Sequence, residues 1–192
     1  MRYLSQLKIK AYHRNEIPTA DDEFIDEGGD GAEDFMDESC KRRFVVATSA
    51  TPRVYAPRSG HILRIHDCTS ITSVVNNGAT VAPADYQLEP LNGLTWSGEA
   101  RPFEQIRLKS GSWFVDDGEA TVTVTAAWGW AAIPARIKHA ALIVAKEIIT
   151  NRDEVKLGLV GFSDVGGVVA RTNPIVRDAI RDYRRSETFG IG

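Results

Sequence analysis

The stretch EATVTVTAAWGWAAIPARIKHAALIVAKEII, Glu119–Ile149, changes its rule halfway along. Ala120 to Ala127 alternates in the manner of a half-buried strand. Beyond Pro134, Ile137, Ala140, Ala141, Val144 and Ile148 recur every three or four residues. Arg136, Lys138, Lys146 and Glu147 lie mostly off that stripe, the pattern of an amphipathic helix. A strand that runs straight into a helix must turn sharply. Gly129 permits the bend, and Pro134 fits the first helical position, where a missing N–H costs nothing. Trp128 and Trp130 are then expected to cover the joint between two modules.

Before this stretch, period-two runs continue back to about residue 44. Phe44–Thr48, Arg53–Ala56, Ile62–Ile65, Ile71–Asn76, Ala79–Ala82, Tyr86–Glu89 and Gln105–Lys109 read as short strands separated by Gly, Pro, Asn and Asp turns. Asn77-Gly78 is a two-residue hairpin signal. Further upstream, Tyr3, Leu4, Leu7 and Ala11 share one face of a short helix that Pro18 ends. Thr19 can cap a second helix, with Asp21, Asp22 and Glu23 in its first turn and a stripe of Ile25, Gly28, Ala32, Phe35 and Ser39. Each of Gly28, Gly29 and Gly31 costs a helix about 1 kcal/mol against alanine. Either that helix breaks near Gly29, or small residues are needed there for close packing.

After Arg152 the Gly-rich GLVGFSDVGGVVARTN shows no clear period and reads as a functional or mobile loop. Asn173 then caps a last helix with Pro174 at its first position. Ile175, Val176, Ala179, Ile180 and Tyr183 face in, and Arg177, Arg181, Arg184 and Arg185 face out with Asp178 and Asp182 between them. The fold expected is α+β. Residues 1–43 and 131–192 form one helical bundle frame, and residues 44–130 form an inserted antiparallel β barrel or sandwich.

Composition narrows function. The 192 residues carry a net charge of −3, so the chain as a whole lacks the basic footprint of general nucleic-acid binding. No apolar run approaches the roughly 20 residues of a membrane span. Two cysteines, Cys40 and Cys68, make neither a disulfide framework nor a four-thiolate zinc site. His61, His66 and Cys68 are close in sequence, but His61 falls on the opposite strand face from the other two, so no metal is assigned. Asp26, Asp30 and Gly31 match a calcium loop only in part, since Gly28 fails a ligand position and Asp37 replaces the bidentate glutamate. No phosphate loop or nucleophile elbow is present, and Ser163, Asp164 and His139 have no spacing that defines a triad. With no catalytic residue, metal or cofactor assigned, the expectation is a binding or structural role rather than an enzyme.

The opening stretch and its surroundings resemble the head–tail connector (adaptor) proteins of tailed double-stranded DNA phages. In that family a final strand V-x-V-T-x-x-x-G-W passes into V-P-x-x-I-K-x-A, and the last helix closes on a Y-R-R-like sequence. This chain has Val122, Val124, Thr125, Gly129, Trp130, Ile133, Pro134, Ile137, Lys138 and Ala140 in that order, then Tyr183-Arg184-Arg185. Glu38–Phe44 and Ile71–Leu88 agree more loosely, and the glycines at 28–31 depart from the family's Ala-rich helix.

The resemblance implies a virion structural protein, made in host cytoplasm, that forms a ring of about twelve copies below the portal. Its partners would be the portal protein, further copies of itself, and the next tail component, a stopper or tail terminator. DNA would pass through the lumen without sequence readout, and no membrane is involved. Interface candidates are Arg177, Arg181, Arg184 and Arg185, Phe162 in the Gly-rich stretch, and Phe189 and Ile191 in a tail that orders on docking. The alternative is a nucleic-acid-binding β-barrel module with the same arginines as a phosphate-facing stripe.

Overall fold

A computed structural model describes residues 3–12, 22–95, 98–109, 114, 119–151 and 161–185. The chain divides into two compact units. Met1–Arg43 joins Ile133–Gly192 in one, and Phe44–Ala132 forms the other.

Five α-helices of the described residues belong to the first unit: α1 (Gln6–Tyr12), α2 (Asp22–Cys40), α3 (Ala135–Thr150), α4 (Phe162–Thr172) and α5 (Pro174–Tyr183). Helix α3 buries the whole expected stripe, with Ile143, Ala145 and Ile149 in addition. Pro134 precedes its first turn and accepts the Lys138 N–H at 3.1 Å, one position earlier than the sequence implied. Helix α2 runs unbroken through Gly28–Gly31. A Cβ on Gly28 would sit 3.3 Å from Ile148 Cγ2, and one on Gly31 only 2.7 Å from the Phe162 ring. Close packing thus offsets the poor helix propensity of these glycines. Asp26, Asp30 and Asp37 lie on this continuous helix, not on a loop that could wrap a cation.

Two expectations change here. The segment Phe162–Thr172, read as loop, is helix α4. Asp164 accepts the Gly161 N–H at 3.1 Å at its start, and Gly166 meets Phe35, where a Cβ would come within 2.6 Å of the ring. On α1 the inward residue is Ile9, whereas Leu7 is 77 % exposed and Ala11 is exposed. Tyr3 and Leu4 are buried ahead of the helix because Glu33 Oε1 accepts both of their backbone N–H groups, at 2.8 and 2.7 Å. Gln6 to Asp26 and Lys10 to Asp22 tie α1 down further. At the other end, Asn173 Oδ1 accepts the Ile175 and Val176 N–H groups, the cap expected of it. Ile175, expected to face in, is 42 % exposed. The proposed cap Thr19 lies outside the described residues.

The second unit is one antiparallel sheet. Its path runs β1 (Thr51–Tyr55), β6 (Val122–Trp128), β2 (Ile62–Asn76), β5 (Phe103–Leu108), β4 (Tyr86–Glu89), with β3 (Ala79–Thr80) on the end of β2. The fold is the expected α+β with an antiparallel sheet, but among the described residues the sheet path does not return on itself, so the expected closure into a barrel is corrected to an open sheet. Alternation fixes which residues face a core, but closure depends on edge pairing that alternation does not encode. One edge, β1, carries Pro52, which lacks a ladder donor, and Thr51–Val54 are exposed. Asn77 and Gly78 have φ +48° and +79° and join β2 to β3 in the expected two-residue turn.

Strand β2 is a single strand of 15 residues where the sequence suggested two. It pairs with β5 up to Cys68 and with β6 from Cys68 onward, with register shifts between 64 and 68, 68 and 70, and 71 and 73. The first shift adds two residues to β2 and the other two add one each, and Ile65, Cys68, Ile71 and Val74 reach the core side at spacings of three. They pack with Ile106, Leu108, Val122, Val124 and Ala126. The bulges also put Cys68 inside and leave His66 exposed, correcting the shared face read from strict alternation. Phe44–Thr48 is not a strand; only Val46 bridges to Trp130.

Candidate interface surfaces

The Trp128-Gly129-Trp130 corner is built inside the β unit. Gly129 has φ +124° and donates its N–H to Asp67 O at 2.7 Å. Trp130 N–H donates to Val45 O and Ala47 N–H to Trp130 O, both at 2.8 Å, so the chain ends of the unit are stitched together. The Trp130 ring lies 5.3 Å from that of Phe44. Trp128 donates its indole N–H to Thr51 O at 2.8 Å, with the Arg53 guanidinium 4.6 Å from its ring centre. Tyr55 and His66 complete this cluster, the Tyr55 hydroxyl lying 2.8 Å from His66 Nδ1. Burial raises the Tyr55 hydroxyl above its ordinary value of 10.0, which keeps it a donor. The meeting of Arg53, Tyr55 and His66 at Trp128 has no signal in the sequence, because their strands are brought together only by the β1–β6–β2 pairing.

The arginine face of α5 is half neutralised. Arg177 lies 3.7 Å from Asp178, and Arg181 bonds Asp178 at 3.3 Å and Asp182 at 3.2 Å. Arg136 of α3 also pairs with Asp182. Exposed pairs of this kind contribute about 0–1 kcal/mol each, so they set the local charge more than the stability. Arg185 uses its backbone N–H to reach Cys40 O at 2.8 Å, and Arg42 Nε donates to Tyr183 O at 2.7 Å. The Tyr-Arg-Arg end of α5 thereby closes on the end of α2. Phe162 is half-buried against Gly31 and Phe24. Phe189 and Ile191 lie outside the described residues.

Among the described residues, each unit carries a concave surface. In the helical unit, a groove of about 420 Å³ runs among α2, α4 and α5, with Phe35, Gly167, Ala170 and Ile180 lining it and Glu38 and Arg184 on its rim. In the β unit, a groove of about 500 Å³ is lined by Thr69, Leu94, Arg101, Pro102 and Phe103. Leu91 and Leu94 stand 62 % and 63 % exposed beside it. Their loop is held by Leu94–Ala100 pairing and by Arg101 N–H to Gly93 O at 2.9 Å.

Both thiols are buried, which raises each to about 12 and leaves them protonated. Among the described residues no cluster of three or more His, Cys, Asp or Glu could hold a metal ion, and no helix is long and apolar enough to cross a membrane.

No protein-family model and no curated protein matches the sequence. Solved structures do match its fold. A chain in the neck of an empty GTA particle, computed with C6 symmetry, superposes with a TM-score of 0.58 at 15 % identity, over 97 % of this chain and 92 % of its own. One in the neck of a native GTA particle, computed with C12 symmetry, gives 0.52 at 16 % identity, over 94 % and 90 %. The chain therefore shares, over nearly its whole length, the fold of a particle-neck protein.

Proposed function

We propose that this chain is a virion structural protein of a tailed phage or phage-like particle: a head–tail connector that forms a ring below the portal and continues the DNA channel toward the tail. The observation that carries this reading is the end-to-end fold likeness to chains in particle necks, helical frame and inserted sheet together. A likeness confined to one unit would carry far less. The ordered motif from Val122 through Pro134 to Tyr183-Arg184-Arg185 points the same way. A ring of about twelve copies accords with the twelvefold symmetry of one neighbour's neck. The portal and a stopper or tail terminator would be its axial partners, and Phe189 and Ile191 are the apolar anchors assigned to docking. The protein would reside in the virion after assembly in host cytoplasm.

The net charge of −3 and the Asp-paired arginines of α5 favour a channel wall that does not grip DNA over a phosphate-binding module. The test is light scattering of the purified chain with the portal ring of the same particle. A mass gain of about a dozen subunits is expected. No gain across salt and concentration, together with a salt-dependent DNA gel shift, would overturn the reading in favour of nucleic-acid binding.

A further inference from the structure

The groove among α2, α4 and α5 changes chemistry along its length. Lys41 follows the last residue of α2, and Arg184 follows the last residue of α5. Both line the groove, against one carboxylate, Glu38. Further back along the same helices the lining turns apolar, with Phe35 on α2 and Ile180 on α5 facing Gly167 and Ala170 of α4. Ile180 lies one turn behind Arg184, about 6 Å along the helix. Ala170 and Ile180 are half-buried. A Cβ on Gly167 would meet nothing within 4 Å among the described residues, although glycine weakens a helix interior.

The chain leaves α5 at the basic end of this groove. Arg185 donates its N–H to Cys40 O at 2.8 Å, between the lining residues Ser39 and Lys41. Residues 186–192, SETFGIG, follow and lie outside the described residues. In an extended segment every second side chain falls on one side, which groups Glu187, Phe189 and Ile191. From the exit, that side runs acidic, aromatic, aliphatic. From the same point, the groove runs basic, then apolar. The spacing matches too, since Glu187 and Phe189 are about 7 Å apart along an extended chain.

We propose that the groove seats this chain's own C-terminal segment. Glu187 lies between Lys41 and Arg184, and Phe189 covers Gly167 and Ala170 between Phe35 and Ile180. Two cations and one carboxylate line the groove, and Glu187 is the only charged side chain in 186–192, so the charges are complementary. Tethering selects the occupant. Arg185 is fixed at the groove and only Ser186 separates it from Glu187, so the segment is present at the millimolar effective concentration of a short linker. Any other partner must compete with that. Seated there, Phe189 and Ile191 are withheld from other surfaces until they are drawn out. The inference goes beyond the connector reading and does not depend on it.

Hydrogen exchange of the full chain, read by mass spectrometry, tests the seating. The amides of 187–192 should exchange roughly tenfold or more slower in wild type than in Gly167→Leu, the worth of one buried phenyl ring. Gly167→Leu favours helix, and its Cβ meets none of the described residues, so loss of fold cannot explain its effect. Glu187→Lys should free the segment as well, and adding Lys41→Glu should restrain it again. With Cys40 and Cys68 replaced by alanine, Gly167→Cys with Phe189→Cys should oxidise to a disulfide within one chain. Wild-type amides that exchange at the rate of a free peptide, or protection that Gly167→Leu leaves intact, would refute the seating. A disulfide that links two chains would give the groove to the segment of a second copy and overturn the assignment to the chain's own. None of these results bears on the connector reading, which the mass gain of the portal ring tests separately.

Discussion

Replacing Gly129 with alanine tests the corner where β6 ends. At φ +124° an L side chain is strained, which costs about 1–3 kcal/mol. The new Cβ would also lie 2.5 Å from Val45 O and 3.0 Å from Ala47 N. Both atoms are backbone and cannot swing away like a side chain. Relief must pull the 45–47 segment from Trp130, weakening two hydrogen bonds worth about 1 kcal/mol each. The sum is about 3–5 kcal/mol, a large part of a domain's usual 5–15 kcal/mol. Gly78→Ala is the control, with φ +79° and nothing within 4 Å of its Cβ. It should cost about 1–2 kcal/mol through conformation alone. All four tryptophans fall within Phe44–Ala132, so fluorescence during urea unfolding reports this unit selectively. If Gly129→Ala costs no more than Gly78→Ala, the stitched corner contributes nothing and the reasoning is refuted.

Other outcomes follow from the same geometry. Glu33→Ala removes the acceptor of two buried N–H groups and should cost about 2–3 kcal/mol, with fast hydrogen exchange at Tyr3 and Leu4 but not mid-α2. Gly166→Ala gains about 1 kcal/mol of helix propensity but forces the Phe35 ring aside at a cost of about 1–3 kcal/mol. A lowered melting temperature, recovered by adding Phe35→Leu, is expected. Burial raises both thiols from 9.0 to about 12, so the folded chain keeps protons that the unfolded chain releases. The thiols' contribution to stability should be level below pH 9.0 and be lost as pH rises from there toward about 12, so Cys40→Ala with Cys68→Ala should make the alkaline slope shallower and leave the part due to the raised Tyr55 and Tyr86 hydroxyls. Native-state alkylation should tag Cys40 only when the helical unit opens and Cys68 only when the sheet opens, which mass spectrometry can separate.

What the sequence disclosed was whatever short-range chemistry decides. The Asn77-Gly78 turn, the Asn173 cap and the stripe of α3 follow from residues within a turn or two of each other. Long-range effects stayed hidden. Strand β2 reads as two strands because its bulges carry core residues at spacings of three, which break the period of two that marks a strand. Helix α1 was turned the wrong way because Glu33, some thirty residues on, holds Tyr3 and Leu4 in place. Helix α4 passed for a loop because Gly166 is justified only by the ring of Phe35 across the bundle. Of the interface residues, the α5 arginines were legible as a face, but their carboxylate pairing depends partly on Arg136 of α3. The groove among α2, α4 and α5 has no sequence signature at all, being made by three helices at once.

The division of the chain also sets an order of events at the ribosome. Helix α2 is synthesised early, with Phe24, Ile25, Phe35 and Met36 apolar and ready to pack. Its partners α3, α4 and α5 begin only after Ile133. At about 5–20 residues per second the intervening sheet takes several seconds to emerge. During that interval the sheet has everything it needs to fold, while α2 has no bundle to join. A nascent chain stalled with Ala132 just outside the exit tunnel should therefore show a protease-resistant sheet and a cleavable Asp22–Cys40. In the cell, that waiting helix is the segment a chaperone would shield, and the rate of translation through the sheet becomes a determinant of yield.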